Sequence, residues 1–172
     1  MKKSLILALF IAAMLLATGC TQQAPLPSNL TLGERVKTSG CSIGVYPDAA
    51  CTPGVINLSA STEDICTPGY TSQVRSVSES TKNAVYTEYG VKTHVTGEYE
   101  VDHFIPLELG GSNDIANLWP EPSNLTFGYH QKDKVENYLH DRVCSGKMSL
   151  PDAQRSIAYN WVTVFVQIST IT

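Results

Sequence analysis

The chain has 172 residues, 42% of them hydrophobic and 16% charged, with a formal net charge of −4. Charge this sparse, in a chain with two tryptophans and eight tyrosines, excludes a disordered polyelectrolyte. The acidic balance excludes a globally basic nucleic-acid coat and leaves a local basic groove open.

The first residues read MKKSLILALFIAAMLLATGC. Lys2 and Lys3 form a positive start, Leu5 to Leu16 an apolar run too short to span a bilayer comfortably, and Ala17-Thr18-Gly19 a small-residue site before Cys20. This pattern resembles a bacterial lipobox, although Ala17 stands where Leu is usual. It implies a signal peptide over residues 1–19 and a lipid on Cys20. The expected product is exported and anchored to the cell envelope, on the outer membrane or periplasmic face in a Gram-negative cell. Loss of the leader removes two lysines and no acid, leaving ten basic against sixteen acidic side chains, a charge of −6. Residues 20–40, polar with two prolines, read as the lipidated cysteine and a tether. Residues 41–172 are long enough for a single domain with its own core.

Cys41, Cys51, Cys66 and Cys144 remain outside the anchor. An even number in an exported chain predicts two disulfides, with three pairings open. Their spacing lacks the close pairs of a structural zinc site. Two copies of CTPG, at 51–54 and 66–69, predict cysteine-pinned turns. NLSASTEDI between them predicts a short helix capped by Ser or Thr. YTSQVRSVS alternates like a short strand, and STKNAVYTEYG predicts a helix ending at Gly90. GEYEVDHFIPLELGG reads as a strand closing at Gly110-Gly111, followed by a polar loop and a second extended piece, LWPEP, whose prolines confine it to an edge. FGYHQKDKVENYLHDRVCSG predicts a helix with Val135, Leu139 and Val143 as its buried stripe. A last helix starts near Ser149 and buries Ala153, Ile157, Trp161, Phe165 and Ile168.

The stretch from Glu100 to Asn137 carries the chemistry. Asp102 supplies a hard carboxylate for Mg²⁺ or Mn²⁺, and His103 an imidazole suited to proton abstraction near neutral pH. Neighbours on a regular strand leave on opposite faces, so a shared reaction needs the backbone to twist there. Asn117 follows the loop, and His130 opens the next helix as a second candidate ligand. The order Asp102-His103, Ile105-Pro106, Gly110-Gly111, Asn113-Asp114, Asn117-Leu118 and His130 resembles the HNH (ββα-metal) endonucleases. The likeness extends to exported bacterial members through NLWPEP and the KDKVENYL helix, and covers most of the chain after the leader. Flanking zinc-binding CxxC pairs found in many members are missing here.

The resemblance implies an α+β fold: a small ββα-metal core, about residues 98–145, with flanking helices and a disulfide-containing N-terminal region. It implies a metal-dependent endonuclease acting on DNA, with RNA as a second substrate. Asp102 and His130 would hold a divalent metal, Mg²⁺ first, with Mn²⁺ or Zn²⁺ as alternatives. His103 would be the general base, and Asn117 would hold the loop and orient His103. Loop length before the helix varies in this family, so Tyr129, Lys132 and Asp133 compete with His130. Lys134 and Arg75 are candidate phosphate contacts. Expected partners are nucleic acid and, through the anchor, the membrane; no protein partner is implied.

Plainer roles stand beside these. Lys132 and Glu136 can form an i,i+4 charge pair with no chemical part. His94 and His140 read as surface residues, and Trp119 and Trp161 as core. The rival to the nuclease is an inactive HNH-fold module that binds nucleic acid or an envelope partner.

Overall fold

The structure is a computed structural model, described here for residues 32–170; the expected signal peptide, Cys20 and the first part of the expected tether lie outside the described residues. Five α-helices and one two-stranded antiparallel sheet make a mixed architecture compatible with the expected α+β class. The order is α1 (Thr62–Ile65), α2 (Tyr70–Val74), α3 (Glu79–Glu88), β1 (Tyr99–His103), β2 (Leu118–Pro122), α4 (Tyr129–Cys144) and α5 (Leu150–Ser169).

The helix starts follow their capping residues. Ser61 and Asp64 form a reciprocal capping box at α1. The hydroxyl of Ser78 caps α3, and that of Ser149 caps α5. Gly90 and Gly146 follow α3 and α4 with positive φ, where a side chain would be strained. Inside α5 the backbone leaves helical geometry at Asn160, so the helix bends where its face passes from buried Trp161 to half-buried Phe165.

Two segments depart from expectation. YTSQVRSVS is not a strand: its first five residues are α2. Gly69, at φ 84°, closes the second CTPG turn and starts this helix. Among the described residues no neighbouring strand offers the segment a ladder, so tertiary contact decides against weak alternation. GEYEVDHFIPLELGG is also only partly strand; after His103 it turns into a short 3-10 segment, Leu107–Leu109.

β1 and β2 pair with Tyr99 opposite Pro122, Val101 opposite Pro120 and His103 opposite Leu118. The two prolines lie two residues apart, so their missing donors face one edge, which a strand with a single partner can spare. A two-stranded sheet alone is marginal in water. Here it is roofed by helices. Val135, Leu139 and Val143 of α4, and Ala153, Ile157 and Trp161 of α5, pack with Ile105, Leu109, Leu118 and Trp119 in one core. Both tryptophans are core residues, as expected.

The disulfides pair Cys41 with Cys51 and Cys66 with Cys144. The second joins the end of α1 to the last residue of α4. Residues assigned to the tether already belong to this body from position 32. Leu32 packs on the core, Arg35 pairs with Glu88 and donates to the Cys51 carbonyl at 3.1 Å, and Val36 and Lys37 donate to the Ala50 carbonyl. Among the described residues no helix is long and apolar enough to cross a membrane.

Candidate functional site

The site begins with a lysine in an apolar place. On α4, Lys132 lies three residues before Val135 and seven before Leu139, on the stripe that enters the core. It is fully buried. A buried ammonium needs acceptors, and β1, β2 and α4 provide them. Its Nζ donates to Asp102 Oδ2 at 2.6 Å and to the His103 carbonyl at 2.9 Å. It also bonds Glu136, one helical turn on, and stands 3.5 Å from Glu121 of β2. The pair that sequence offered as a plain i,i+4 charge pair is therefore a buried junction between helix and sheet.

Three carboxylates face one ammonium, and their proton affinities separate accordingly. Burial disfavours the charged form of Asp102, and the adjacent Lys132 overcomes it, holding the carboxyl below its ordinary range. Glu121 is raised well above the usual value by burial, and neither of its oxygens has a hydrogen-bond partner among the described residues. Glu136 is pushed up to about 8, again by burial first. Lys132 is raised by these carboxylates against the effect of burial and stays charged.

His103, the last residue of β1, is 1% exposed. Burial lowers its pKa, with Asp102 acting in the opposite direction, so the imidazole is neutral at pH 7. Its Nε2 lies 3.1 Å from Asn113 Oδ1. Asp102 and His103 line one cavity of about 70 Å³ together with Thr71, Arg75, Glu108 and Glu136. The end of the strand thus lets two consecutive side chains share a space, the condition that sequence set. Glu108 is raised by burial, and its Oε1 has no partner among the described residues.

Asn117 is buried and holds the loop, as expected. Its Oδ1 accepts from the Ile105 and Val55 amides at 2.9 and 3.3 Å, and its Nδ2 donates to the Ile105 and Ser112 carbonyls at 2.9 and 2.8 Å. Its side chain makes no bond to His103; the imidazole is met by Asn113 instead. Gly111 seals the same loop: a Cβ there would sit 1.7 Å from the Ile105 carbonyl oxygen.

Two expected site residues face elsewhere. His130 and Lys134 lie two residues either side of Lys132, and side chains two apart leave a helix on nearly opposite sides. His130 is exposed and lies against Tyr129, with ring centroids 4.2 Å apart and the planes tilted by 53°. Lys134 stands over the Phe165 ring at 5.9 Å. The helix residues turned to Asp102 are Lys132 and Glu136. Arg75, exposed, follows α2 and lines the cavity.

His94 is exposed, while His140 is half-buried, bonds the Ile65 carbonyl at 3.0 Å and lies 3.4 Å from Cys144 Sγ. Cys66, His140 and Cys144 cluster tightly enough for a soft cation, but their sulfurs are joined as a disulfide. Comparison with protein-family models, with curated proteins and with solved structures returned no match, so the site is read from its own chemistry.

Proposed function

We propose that the chain is a metal-dependent phosphodiester hydrolase, an endonuclease of the ββα-metal kind, carried on the sequence β1–β2–α4. One observation carries the reading. A neutral, buried imidazole, His103, shares a small cavity with the carboxylates of Asp102, Glu136 and Glu108 and the guanidinium of Arg75.

The donor set suits a hard divalent ion, because every carboxylate at the cavity is an oxygen donor. Mg²⁺ keeps several waters and is commonly held by one or two carboxylates together with substrate phosphate. Asp102 would supply one, and Glu136 the other once the ion displaces the proton that burial holds on it. Lys132 engages Oδ2 of one and Oε1 of the other, which leaves each a second oxygen. His130 has no part in this set. A bound ion would stabilise negative charge developing on the phosphate.

His103 accepts the proton of the attacking water, a task for which a neutral imidazole is in the correct state. Arg75 meets a phosphate oxygen at the rim. Lys132, with no exposed surface, acts on the substrate only through the carboxylates it braces. The substrate is DNA, with RNA as the second candidate. The mature protein is exported and held to the envelope through Cys20. The rival, an inactive binding module, does not need an uncharged base beside oxygen donors.

The test is plasmid and RNA cleavage by the oxidised chain with Mg²⁺, Mn²⁺ or EDTA, paired with Mn²⁺ binding followed by electron paramagnetic resonance. His103→Ala should lower the rate about 10²- to 10⁴-fold with the fold intact. Glu136→Gln should weaken Mn²⁺ binding about tenfold or more, and His130→Ala should not. Well-folded protein that cleaves neither substrate with any metal overturns the reading.

A further inference from the structure

The loop between β1 and β2 holds a second asparagine whose amide is fixed by three neighbours. Asn113 Nδ2 donates to the Val74 carbonyl at 2.8 Å, and its Oδ1 accepts from the Ser76 amide at 3.2 Å. These two backbone groups, either side of Arg75 at the end of α2, admit only one orientation of the amide. Reversal would set NH₂ against N–H and oxygen against oxygen. Oδ1 is then an obligate acceptor toward His103 Nε2, 3.1 Å away.

An acceptor at Nε2 requires a hydrogen there, and in the neutral imidazole the lone pair must lie on Nδ1. Nδ1 carries no hydrogen bond from the described residues, and His103 lines the cavity that Asp102 and Glu136 share. We propose that Asn113 is the positioning residue of the base: anchored by Val74 and Ser76, it selects the Nε2–H tautomer of His103 and leaves Nδ1 to take the proton of the attacking water. The proton passes from water oxygen to Nδ1, while the Nε2–H bond to Asn113 persists and strengthens as the ring becomes cationic. Asn117 fixes where the loop runs, and Asn113 fixes which nitrogen is the base.

The catalytic half of this inference rests on the proposed function; the tautomer does not, and it is read without activity. Long-range ¹H–¹⁵N spectra of the oxidised, metal-free chain at a pH where His103 is neutral should show a protonated Nε2 and an unprotonated Nδ1. Asn113→Asp, which keeps an acceptor, should retain that pattern. Asn113→Ala should give a mixed or reversed pattern, with kcat down about 10- to 100-fold and KM nearly unchanged. A wild-type spectrum with the proton on Nδ1 overturns the proposal, even where Asn113→Ala does not fold. So does an unchanged tautomer in a folded Asn113→Ala. Full activity in His103→Ala sinks the role of His103 as base, and well-folded wild type that cleaves nothing sinks the nuclease reading; either leaves the tautomer assignment standing.

Discussion

Replacing Lys132 by methionine tests the site most directly, because it removes the charge and keeps most of the chain length. The Lys132 side chain is 1% exposed, and its ammonium bonds Asp102 and Glu136 with Glu121 nearby. Breaking a buried pair by removing one partner costs about 3–5 kcal/mol, since the other charge stays buried and uncompensated. The volume change adds less than about 1.5 kcal/mol. Against a domain stability of about 5–15 kcal/mol, Lys132→Met should be severely weakened but measurable by urea unfolding.

The pH dependence gives the sharper signature. In the wild type the carboxyl of Asp102 is lowered, so its contribution is present above the unfolded value of about 3.9 and is lost only in stronger acid. In Lys132→Met burial acts unopposed, the folded carboxyl rises, and the folded state takes up a proton as pH falls. The gap between the two proteins should therefore be widest near pH 7.5 and narrower near pH 4.5. A loss below about 1 kcal/mol at pH 7.5, or a gap that ignores pH, refutes the buried-pair argument.

The raised Glu136 gives the wild type its own slope. A carboxyl raised to about 8 contributes stability that is full below its unfolded value and fades as pH rises through 8. Metal-free protein should lose up to about 1.4 kcal/mol per pH unit between pH 5 and 8 from this one proton, and Glu136→Gln should flatten the curve. Asn117→Ala deletes four loop hydrogen bonds and should cost about 3 kcal/mol by thermal unfolding, with activity per folded molecule changed only a few-fold. Opening Cys66–Cys144 releases a 78-residue separation and should cost about 4.5 kcal/mol, against about 2.7 kcal/mol for the ten-residue separation of Cys41–Cys51. Single Cys-to-Ser variants followed by denaturation rank the two.

Sequence disclosed the elements whose signals are local. A Ser or Thr cap at α1 and Ser149 at α5 mark helix starts, Gly90 and Gly146 helix ends, and the stripe of Val135, Leu139 and Val143 the buried face of α4, whereas Ser78, the cap of α3, was read as the end of a strand. It failed at α2, where alternation over a few residues said strand and the CTPG turn started a helix. The pairing of four cysteines depends on which segments fold together, and spacing does not contain that.

The β1 half of the site was legible, because Asp102 and His103 need only their own strand end to meet. The helix half was legible only in part: Lys132 stood among the competitors of His130, and Glu136 did not. Picking His130 follows from its chemistry as a ligand, but the geometry of α4 turns it from Asp102 and brings Lys132 and Glu136 in. One signal was available: a lysine in register with Val135 and Leu139 is a charge on an apolar stripe, and such a charge must have partners inside. The bond from Asn113 to His103 joins loop to strand end, with Val74 and Ser76 behind it, and no periodicity announces it.

The amide of Asn117 has a consequence for how substitutions at this position would be read. It gives Ile105 one donor and one acceptor, as a neighbouring backbone would, and so acts as a one-residue surrogate strand where β1 has run out of partner. Aspartate lacks the donor, glutamine overreaches by a methylene, and serine is too short. A mutational scan would find Asn117 about as intolerant as His103. Intolerance alone would then enrol a carpenter among the chemists, and only activity per folded molecule tells the two trades apart.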